Sequence, residues 1–174
     1  THPAQQAMLA MFTELAGEPI DIVGVDGCTL PAPRLSLTGF ARALAKIAAP
    51  DLLKGTMSKA AEQIMASTMQ FPFLTGGTKS PNSIMTAVSS KKFFAKNGAE
   101  GVYAVILPEA RSAMVLKIAD GSMRAADVAI AGMLAQMAEH LNLDKDMLNK
   151  FSVEDMHNSA NNKIGVCQYA NIMP

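Results

Sequence analysis

Two apolar stretches separated by a short turn-forming segment constrain the fold more than any other feature. Residues 102–107 read Val-Tyr-Ala-Val-Ile-Leu, and residues 113–118 read Ala-Met-Val-Leu-Lys-Ile. The segment between them begins with a proline, which favours a turn. The pattern predicts an antiparallel β-hairpin. Phe93, Phe94 and Ala95 come shortly before it and predict a third strand.

Helical periodicity dominates the first half of the chain. Apolar residues recur at helical spacing over residues 8–15, 37–47 and 57–68. Gly17 is a suitable end for the first of these helices, and Ser36 is a suitable N-cap for the second. A short helix is predicted over residues 83–88, and residues 20–25 predict a short buried strand. The longest helix is expected after Ser122, and its predicted inner side carries Ile130, Leu134, Met137 and Leu141.

Helices, then adjacent strands, then a long helix predict an α+β fold with an antiparallel sheet packed with helices. No linker divides the 174 residues, so residues 1–174 are interpreted as a single domain or the C-terminal portion of one. We expect the helical residues 1–90 to share one core with the sheet and long helix of residues 91–174.

Charge and cysteine content exclude several classes of protein. Fifteen basic residues balance fifteen acidic ones, and the lysines form no basic stripe for a nucleic acid. No apolar run approaches the roughly 20 residues of a membrane-spanning helix, and no signal-peptide pattern is present. Two cysteines, Cys28 and Cys167, are too few for a disulfide scaffold, so we expect a cytoplasmic protein.

The charged share of the sequence is low. It is 17 %, against a usual share of about 25 %, and this predicts a surface that packs against a partner or against another stretch of the same protein. The chain begins Thr1-His2-Pro3 without a methionine, which is typical of a trimmed N-terminus.

A glycine-containing stretch at residues 24–28 is the first candidate for chemistry. Asp26 and Cys28 are two positions apart, so in an extended segment their side chains would point the same way. A carboxylate beside a thiol can orient a substrate amine or contribute to a metal site. The alternative is a tight turn with a buried cysteine, and spacing alone favours that alternative.

The second candidate stretch is residues 96–101, directly before the predicted strand at Val102. A lysine at a sheet edge, followed by small residues, can hold a carboxylate or assist proton transfer. The alternative is a solvated Lys96 in a glycine-rich turn. Residues 89–92 formally fit Ser-x-x-Lys, but they lie in a polar connection rather than at a helix start; residues 56–59 are a similar coincidence at a predicted helix start.

Taken in order, these stretches resemble the rhizobial-type (asparaginase II) L-asparaginase family. The resemblance runs from end to end of the chain. Its most specific pieces are Val-Asp-Gly-Cys at residues 25–28 and Lys-x-Gly-Ala-Glu-Gly at residues 96–101. The supporting pieces are His2, Pro3, Gln5, Gln6, Pro31, Val102, Tyr103, Asn158, Ser159 and residues 164–166.

The resemblance implies a serine β-lactamase and penicillin-binding-protein-like fold and the hydrolysis of L-asparagine to L-aspartate and ammonia. Lys96 would be catalytic, while Asp26, Gly98 and Glu100 would bind the substrate. Cys28 would be a zinc ligand, together with a cysteine and a lysine from earlier in the chain.

The family's Ser-x-x-Lys nucleophile also lies earlier than these residues. This chain would therefore be the C-terminal part of the enzyme, supplying one wall of the active site, inactive alone and partnered by the N-terminal half of the same protein. A homodimer is also expected. The loop at residues 76–81 matches the family only loosely, since the arginine expected there is either replaced by Lys79 or absent. A glutaminase, another small amidohydrolase of the same fold, or a non-catalytic binding domain are the open alternatives.

Overall fold

The computed structural model describes residues 2–170, which form α-helices, one three-stranded sheet and two small hairpins. The helices are α1 (Pro3–Ala16), α2 (Leu37–Ala48), α3 (Thr56–Gln70), α4 (Pro72–Gly76), α5 (Pro81–Val88), α6 (Met123–Gln136) and α7 (Lys145–Phe151). The strands are β1 (Val23–Val25), β2 (Pro31–Pro33), β3 (Phe94–Asn97), β4 (Val102–Leu107), β5 (Ser112–Lys117), β6 (Val153–His157) and β7 (Lys163–Gln168). Helices packed with antiparallel strands confirm the predicted α+β class.

The three-stranded sheet has the order β3-β4-β5 and is antiparallel throughout. The β4–β5 hairpin confirms the prediction made from the two apolar stretches. The third strand begins one residue later than predicted and continues to Asn97, so it contains Lys96. Lys96 pairs with Ala104 of β4, and β3 forms one edge of the sheet.

Both faces of this sheet are covered by helices. One face packs against α6 through a cluster that includes the fully buried Tyr103, Val105, Ile130 and Leu134. The opposite face packs against α2 and α3, where Phe94 and Ile106 contact Ala48 and Met65. Helices from the first half and strands from the second half thus share apolar contacts in two clusters.

Local capping explains why several helices begin and end where they do. Ser36 Oγ accepts a hydrogen bond from Gly39 N–H at 2.8 Å, and Ser122 Oγ accepts one from Ala125 N–H at 3.3 Å. Gly17 ends α1 with a φ of 66°, a backbone conformation that suits glycine. The Ser36 bond confirms the predicted N-cap of α2, and the Gly17 conformation confirms the predicted end of α1. Ser122 is the N-cap of α6, which begins directly after it, as expected from the sequence.

The prediction of the longest helix was wrong in length. α6 has 14 residues and α3 has 15. Met137 has a φ of −96° and a ψ of 6°, which is not helical, so the chain leaves the helix there. Met137 and Leu141 therefore lie beyond α6, while Ile130 and Leu134 are fully buried on its inner side.

The prediction of a buried strand at residues 20–25 was also wrong. Only residues 23–25 form a strand, and they pair with residues 31–33 in an isolated hairpin. Every residue of β1 is exposed, and Val25 has 79 % of its surface in solvent. The reason is that two three-residue strands pair with each other, and neither contacts another described helix or strand extensively.

A second hairpin, β6–β7, was not predicted from the sequence. It docks on α6 beside Gly132, where a Cβ atom would lie 2.1 Å from the Tyr169 ring. Tyr169 O–H donates to Gln136 Oε1 at 2.6 Å. The glycine is therefore what allows the aromatic ring to lie directly against the helix backbone.

The accessible surface of the chain is large for its mass. It measures 10,376 Å², whereas a compact folded monomer of this mass exposes about 8,200 Å². Exposed apolar side chains contribute to the excess; they include Ile22, Val25, Leu52, Phe71, Leu74, Ile164 and Val166. Within residues 2–170, no helix has the length and apolar character needed to cross a membrane.

Candidate functional site

Lys96 lies on the edge strand β3, one residue before that strand ends. Gly98 N–H donates to Val102 O at 2.8 Å, so the Lys96–Ala104 pair is one of the hydrogen-bonded pairs of the ladder. The backbone groups of the alternate residues, Ala95 and Asn97, consequently face away from β4. The Lys96 side chain is exposed, and its Nζ donates to Asn97 O at 2.6 Å and to Asn97 Oδ1 at 3.3 Å.

A groove of about 220 Å³ lies beside Lys96. Its floor is the sheet face formed by Phe94, Ala104 and Ile106, and its wall is α2, which contributes Phe40 and Leu44. Residues 96–98 also line the groove, and Lys96 and Gly98 are its solvent-exposed members. An ammonium group thus stands at the rim of a mainly apolar groove, which is smaller than the roughly 300–1,000 Å³ of typical ligand pockets.

The segment that follows Lys96 is folded tightly against the loop after β5. Gly101 O accepts from Ile118 N–H at 2.9 Å, and the side chain of Glu100 lies over Gly121, where a Cβ atom would be 2.8 Å from Glu100 Oε2. Glu100 has a φ of 57°, a left-handed conformation that is strained for a residue with a side chain. Gly98 and Glu100 therefore belong to the same rigid turn, next to Lys96 in the chain.

Asp26 and Cys28 lie together at the tip of the β1–β2 hairpin. The Cys28 thiol donates to Asp26 Oδ2 at 3.4 Å, and Gly27 N–H donates to Asp26 Oδ1 at 2.8 Å. The two side chains do point the same way, but a turn rather than an extended segment brings them together. Cys28 is exposed, so the alternative of a buried cysteine in this turn is wrong.

Metal-ligand chemistry at this tip is incomplete. A thiol and a carboxylate are both zinc ligands, yet no group of three or more histidine, cysteine or acidic residues within residues 2–170 is arranged to hold a metal ion. The tip thus offers at most two ligands of the four that a tetrahedral site requires. Further ligands would have to come from outside the described residues.

The two Ser-x-x-Lys-like stretches do not form a nucleophile site in this structure. Ser89 is buried at the end of α5, and its hydroxyl donates to Thr86 O at 2.8 Å and to Phe93 O at 3.4 Å. Lys92 Nζ donates instead to Asn142 O. Thr56 does begin α3, but it and Lys59 are both exposed.

A pair of ionisable residues, one fully and one partly buried, was missed by sequence reasoning. Tyr103 is fully buried on β4, and its hydroxyl and Asp127 Oδ1 on α6 lack a hydrogen-bond partner within residues 2–170. Burial raises the pKa of Asp127 to about 6, the negative charge of Glu154 adds to this shift, and the nearby Tyr103 hydroxyl opposes it. The hydroxyl is near enough to act on the carboxyl but lacks hydrogen-bond geometry. Burial, then the Asp127 charge, raises the pKa of Tyr103.

The candidate residues therefore form two groups on different parts of the fold. Lys96, Gly98 and Glu100 follow one another at the sheet edge, whereas Asp26 and Cys28 lie at a hairpin tip. Within residues 2–170, no hydrogen bond or ion pair joins these two groups. Fold and site together define the class of protein. It is an α+β domain with a lysine at the edge of its sheet and an acid–thiol pair at a separate hairpin.

Comparison with known families identifies that domain. A model of the L-asparaginase II family matches residues 1–169, so the chain belongs to the L-asparaginase II family, as the sequence resemblance indicated. This family membership makes amide hydrolysis of the L-asparaginase type the general activity, and asparagine the substrate that the family implies. A search of curated proteins finds no match.

Proposed function

We propose that the protein hydrolyses the side-chain amide of L-asparagine to L-aspartate and ammonia on a serine β-lactamase-like fold, and that this chain supplies one wall of the active site. The observation that carries the proposal is the position of Lys96 at the sheet edge, beside the groove bounded by α2 and β4. The family match over residues 1–169 supports it.

The proposed reaction proceeds through an acyl-enzyme. A serine hydroxyl attacks the side-chain amide carbon, the C–N bond breaks, and ammonia leaves after taking up a proton. Water then cleaves the resulting ester and releases aspartate. Lys96 acts in proton transfer and in stabilising negative charge. The serine comes from a part of the protein outside these residues, because Ser89 and Lys92 are committed to backbone carbonyls.

The remaining candidate residues bind the substrate in this proposal. Asp26 is an exposed carboxylate suited to the substrate ammonium group. Gly98 lines the groove beside Lys96, and its lack of a side chain would let the substrate approach the backbone closely. Glu100 adds a second carboxylate in the turn that follows Lys96.

Zinc binding at Cys28 is the cofactor part of the proposal. The Cys28 thiol and its neighbour Asp26 would hold the metal together with ligands from outside the described residues, and the metal would tune substrate binding. Zinc bound per molecule of full-length protein should fall after Cys28→Ser and stay unchanged after Cys167→Ser, as measured by elemental analysis. Equal zinc content in both variants contradicts a role for Cys28.

The partner of this chain is proposed to be the N-terminal half of the same protein, in a cytoplasmic homodimer. The excess exposed surface and its apolar side chains support this. Purified residues 1–174 alone should aggregate or bind the N-terminal half, and they should show no asparaginase activity. A monodisperse monomer in size-exclusion chromatography, or measurable asparagine hydrolysis, contradicts the proposal.

Ammonia release by the full-length protein tests the reaction itself. We expect release from asparagine to exceed release from glutamine at equal substrate concentration. Preference for glutamine would identify a glutaminase, and no release from either substrate would identify a binding domain.

A further inference from the structure

Helix α5 directs several buried polar side chains toward strand β3. Asn82 and Thr86 are at most 1 % exposed, although both carry groups that require hydrogen-bond partners. Ser83 and Ser89 of the same region are also buried. Such a concentration of buried polar groups beside an edge strand needs an explanation beyond apolar packing.

The partners of Asn82 and Thr86 are the two backbone groups of one residue. Thr86 Oγ1 accepts a hydrogen bond from Ala95 N–H at 3.0 Å, and Asn82 Nδ2 donates to Ala95 O at 3.4 Å. Ala95 is fully buried, so its backbone groups have no access to water. Two side chains of α5 therefore hold the outward-facing edge of β3 in the way that a further strand would.

This contact lies one peptide unit before Lys96. The next outward-facing residue along the edge is Asn97, whose carbonyl accepts from the Lys96 ammonium itself. The part of the edge that is bonded to α5 thus ends directly before the candidate catalytic lysine.

We propose that Thr86 and Asn82 are positioning residues that hold strand β3 so that the Lys96 ammonium stands correctly at the rim of the groove. The inference rests on the proposed catalytic role of Lys96. Without the Thr86 hydroxyl, the buried Ala95 N–H has no partner, and the edge must shift to find one. A displacement of about 1 Å at a reacting group can lower a rate by about 100-fold.

The test compares kcat and KM for asparagine hydrolysis by variants of the full-length protein. Thr86→Val keeps the side-chain shape but removes the acceptor, and it should lower kcat by about 10- to 100-fold while KM changes by less than about threefold. Thr86→Ser keeps the hydroxyl and should restore most of kcat. Ser83→Ala is the matched control, because Ser83 is equally buried on the same helix and its hydroxyl has no partner within residues 2–170.

A double variant separates positioning from general destabilisation. If Thr86 acts through Lys96, Thr86→Val should lower the residual kcat of Lys96→Met by less than about twofold. If kcat of the double variant falls by the product of the two single-variant losses, the proposal is contradicted. It is also contradicted if kcat of Thr86→Val equals that of Ser83→Ala. If Thr86→Val does not fold, Asn82→Ala decides: a smaller loss of kcat supports the proposal, and an unchanged kcat overturns it.

The same measurements distinguish this inference from the proposed function. Full activity in Lys96→Met would show that the catalytic role of Lys96 is wrong, and the positioning role would be wrong with it. An inactive Lys96→Met beside a fully active Thr86→Val would show that the positioning role alone is wrong.

Discussion

The edge of the three-stranded sheet and the β1–β2 hairpin both present candidate site residues, yet they are supported very differently. Strand β3 has helices on both faces and an edge bonded to α5 at Ala95. The hairpin is held by its own short ladder and by the Arg34–Asp21 ion pair, whose side chains are more than 60 % exposed. An exposed ion pair contributes at most about 1 kcal/mol.

This difference separates a preorganised group from one that depends on a partner. The surrounding core fixes the backbone of Lys96 before any ligand arrives, which is what chemistry at a reacting atom requires. Asp26 and Cys28 lie in a hairpin whose local unfolding requires little free energy, because few buried contacts hold it. Changes at the sheet edge should therefore alter the reaction rate, whereas changes at the tip of the hairpin, at Asp26 and Cys28, should alter binding.

The largest expected effect is at Lys96. In the full-length protein, Lys96→Met should lower kcat for asparagine by about 100- to 10,000-fold, the range of a lost acid–base group. Lys117→Met is the matched control, since Lys117 also lies on this sheet and its ammonium also donates to the next backbone carbonyl. Steady-state kinetics should show parental activity for the control. Parental activity for Lys96→Met would show that Lys96 is not catalytic, and the sheet edge would then have no special role in the reaction rate.

Asp26→Asn tests the hairpin side. Losing a charge-assisted bond to the substrate ammonium costs about 1.5–3 kcal/mol, so KM should rise by about 10- to 100-fold with little change in kcat. Asp21→Asn, at the base of the same hairpin, should leave KM unchanged. The melting temperature should stay constant in both. A drop in kcat without a change in KM would contradict the assignment of Asp26 to binding.

Two glycines allow the stability of the packed core and of the β1–β2 hairpin to be compared: Gly132 lies in α6, and Gly27 lies at the hairpin tip. Alanine is favoured over glycine in a helix by about 1 kcal/mol, but at Gly132 its Cβ would lie 2.1 Å from the Tyr169 ring. The clash prevails, and Gly132→Ala should lower the free energy of unfolding by about 1–3 kcal/mol. Gly27→Ala, with nothing within 4 Å of the new Cβ, should change it by less than about 0.5 kcal/mol. Urea denaturation of the full-length protein measures both changes. Equal losses of stability in Gly132→Ala and Gly27→Ala would contradict the prediction.

The smallest effect expected is at Asp127. Its pKa is about 6 in the folded protein against 3.8 as the reference value, so the folded state binds the proton more tightly and stability falls as pH rises from about 4 to about 6. The side chain is only partly buried, which limits the loss to about 1 kcal/mol. Asp127→Asn should recover that amount at pH 7 and nothing at pH 4. Glu154→Gln should also raise the free energy of unfolding at pH 7, but by less, because the Glu154 charge is the smaller cause of the Asp127 pKa shift. A loss of stability at pH 7 in Asp127→Asn would contradict the raised pKa of Asp127.

Elements with strong local signals were predictable from the sequence. The β4–β5 hairpin has two long apolar stretches around a proline-containing turn, and α2 has both its periodicity and Ser36 as N-cap. Residues 20–25 were misjudged because an apolar run indicates burial only if another element covers it. The β6–β7 hairpin was missed because its exposed strands carry mixed polar and apolar residues without a clear alternation.

The candidate site was predictable only in part, for a similar reason. The resemblance drew attention to Lys96, Asp26 and Cys28, whereas spacing alone favoured a simple turn at residues 24–28. Contacts between distant residues left no local pattern. Thr86 meets Ala95 through the docking of α5, and Asp127 meets Tyr103 through the packing of α6 on the sheet.

The bonds from α5 to Ala95 also bear on the solubility of the protein. An edge strand with free N–H and C=O groups can add a strand from another molecule, and this is a route to aggregation. Because Thr86 and Asn82 occupy both groups of Ala95, β3 cannot extend the sheet at that point. The side chains that hold the strand in place therefore also protect it from self-association.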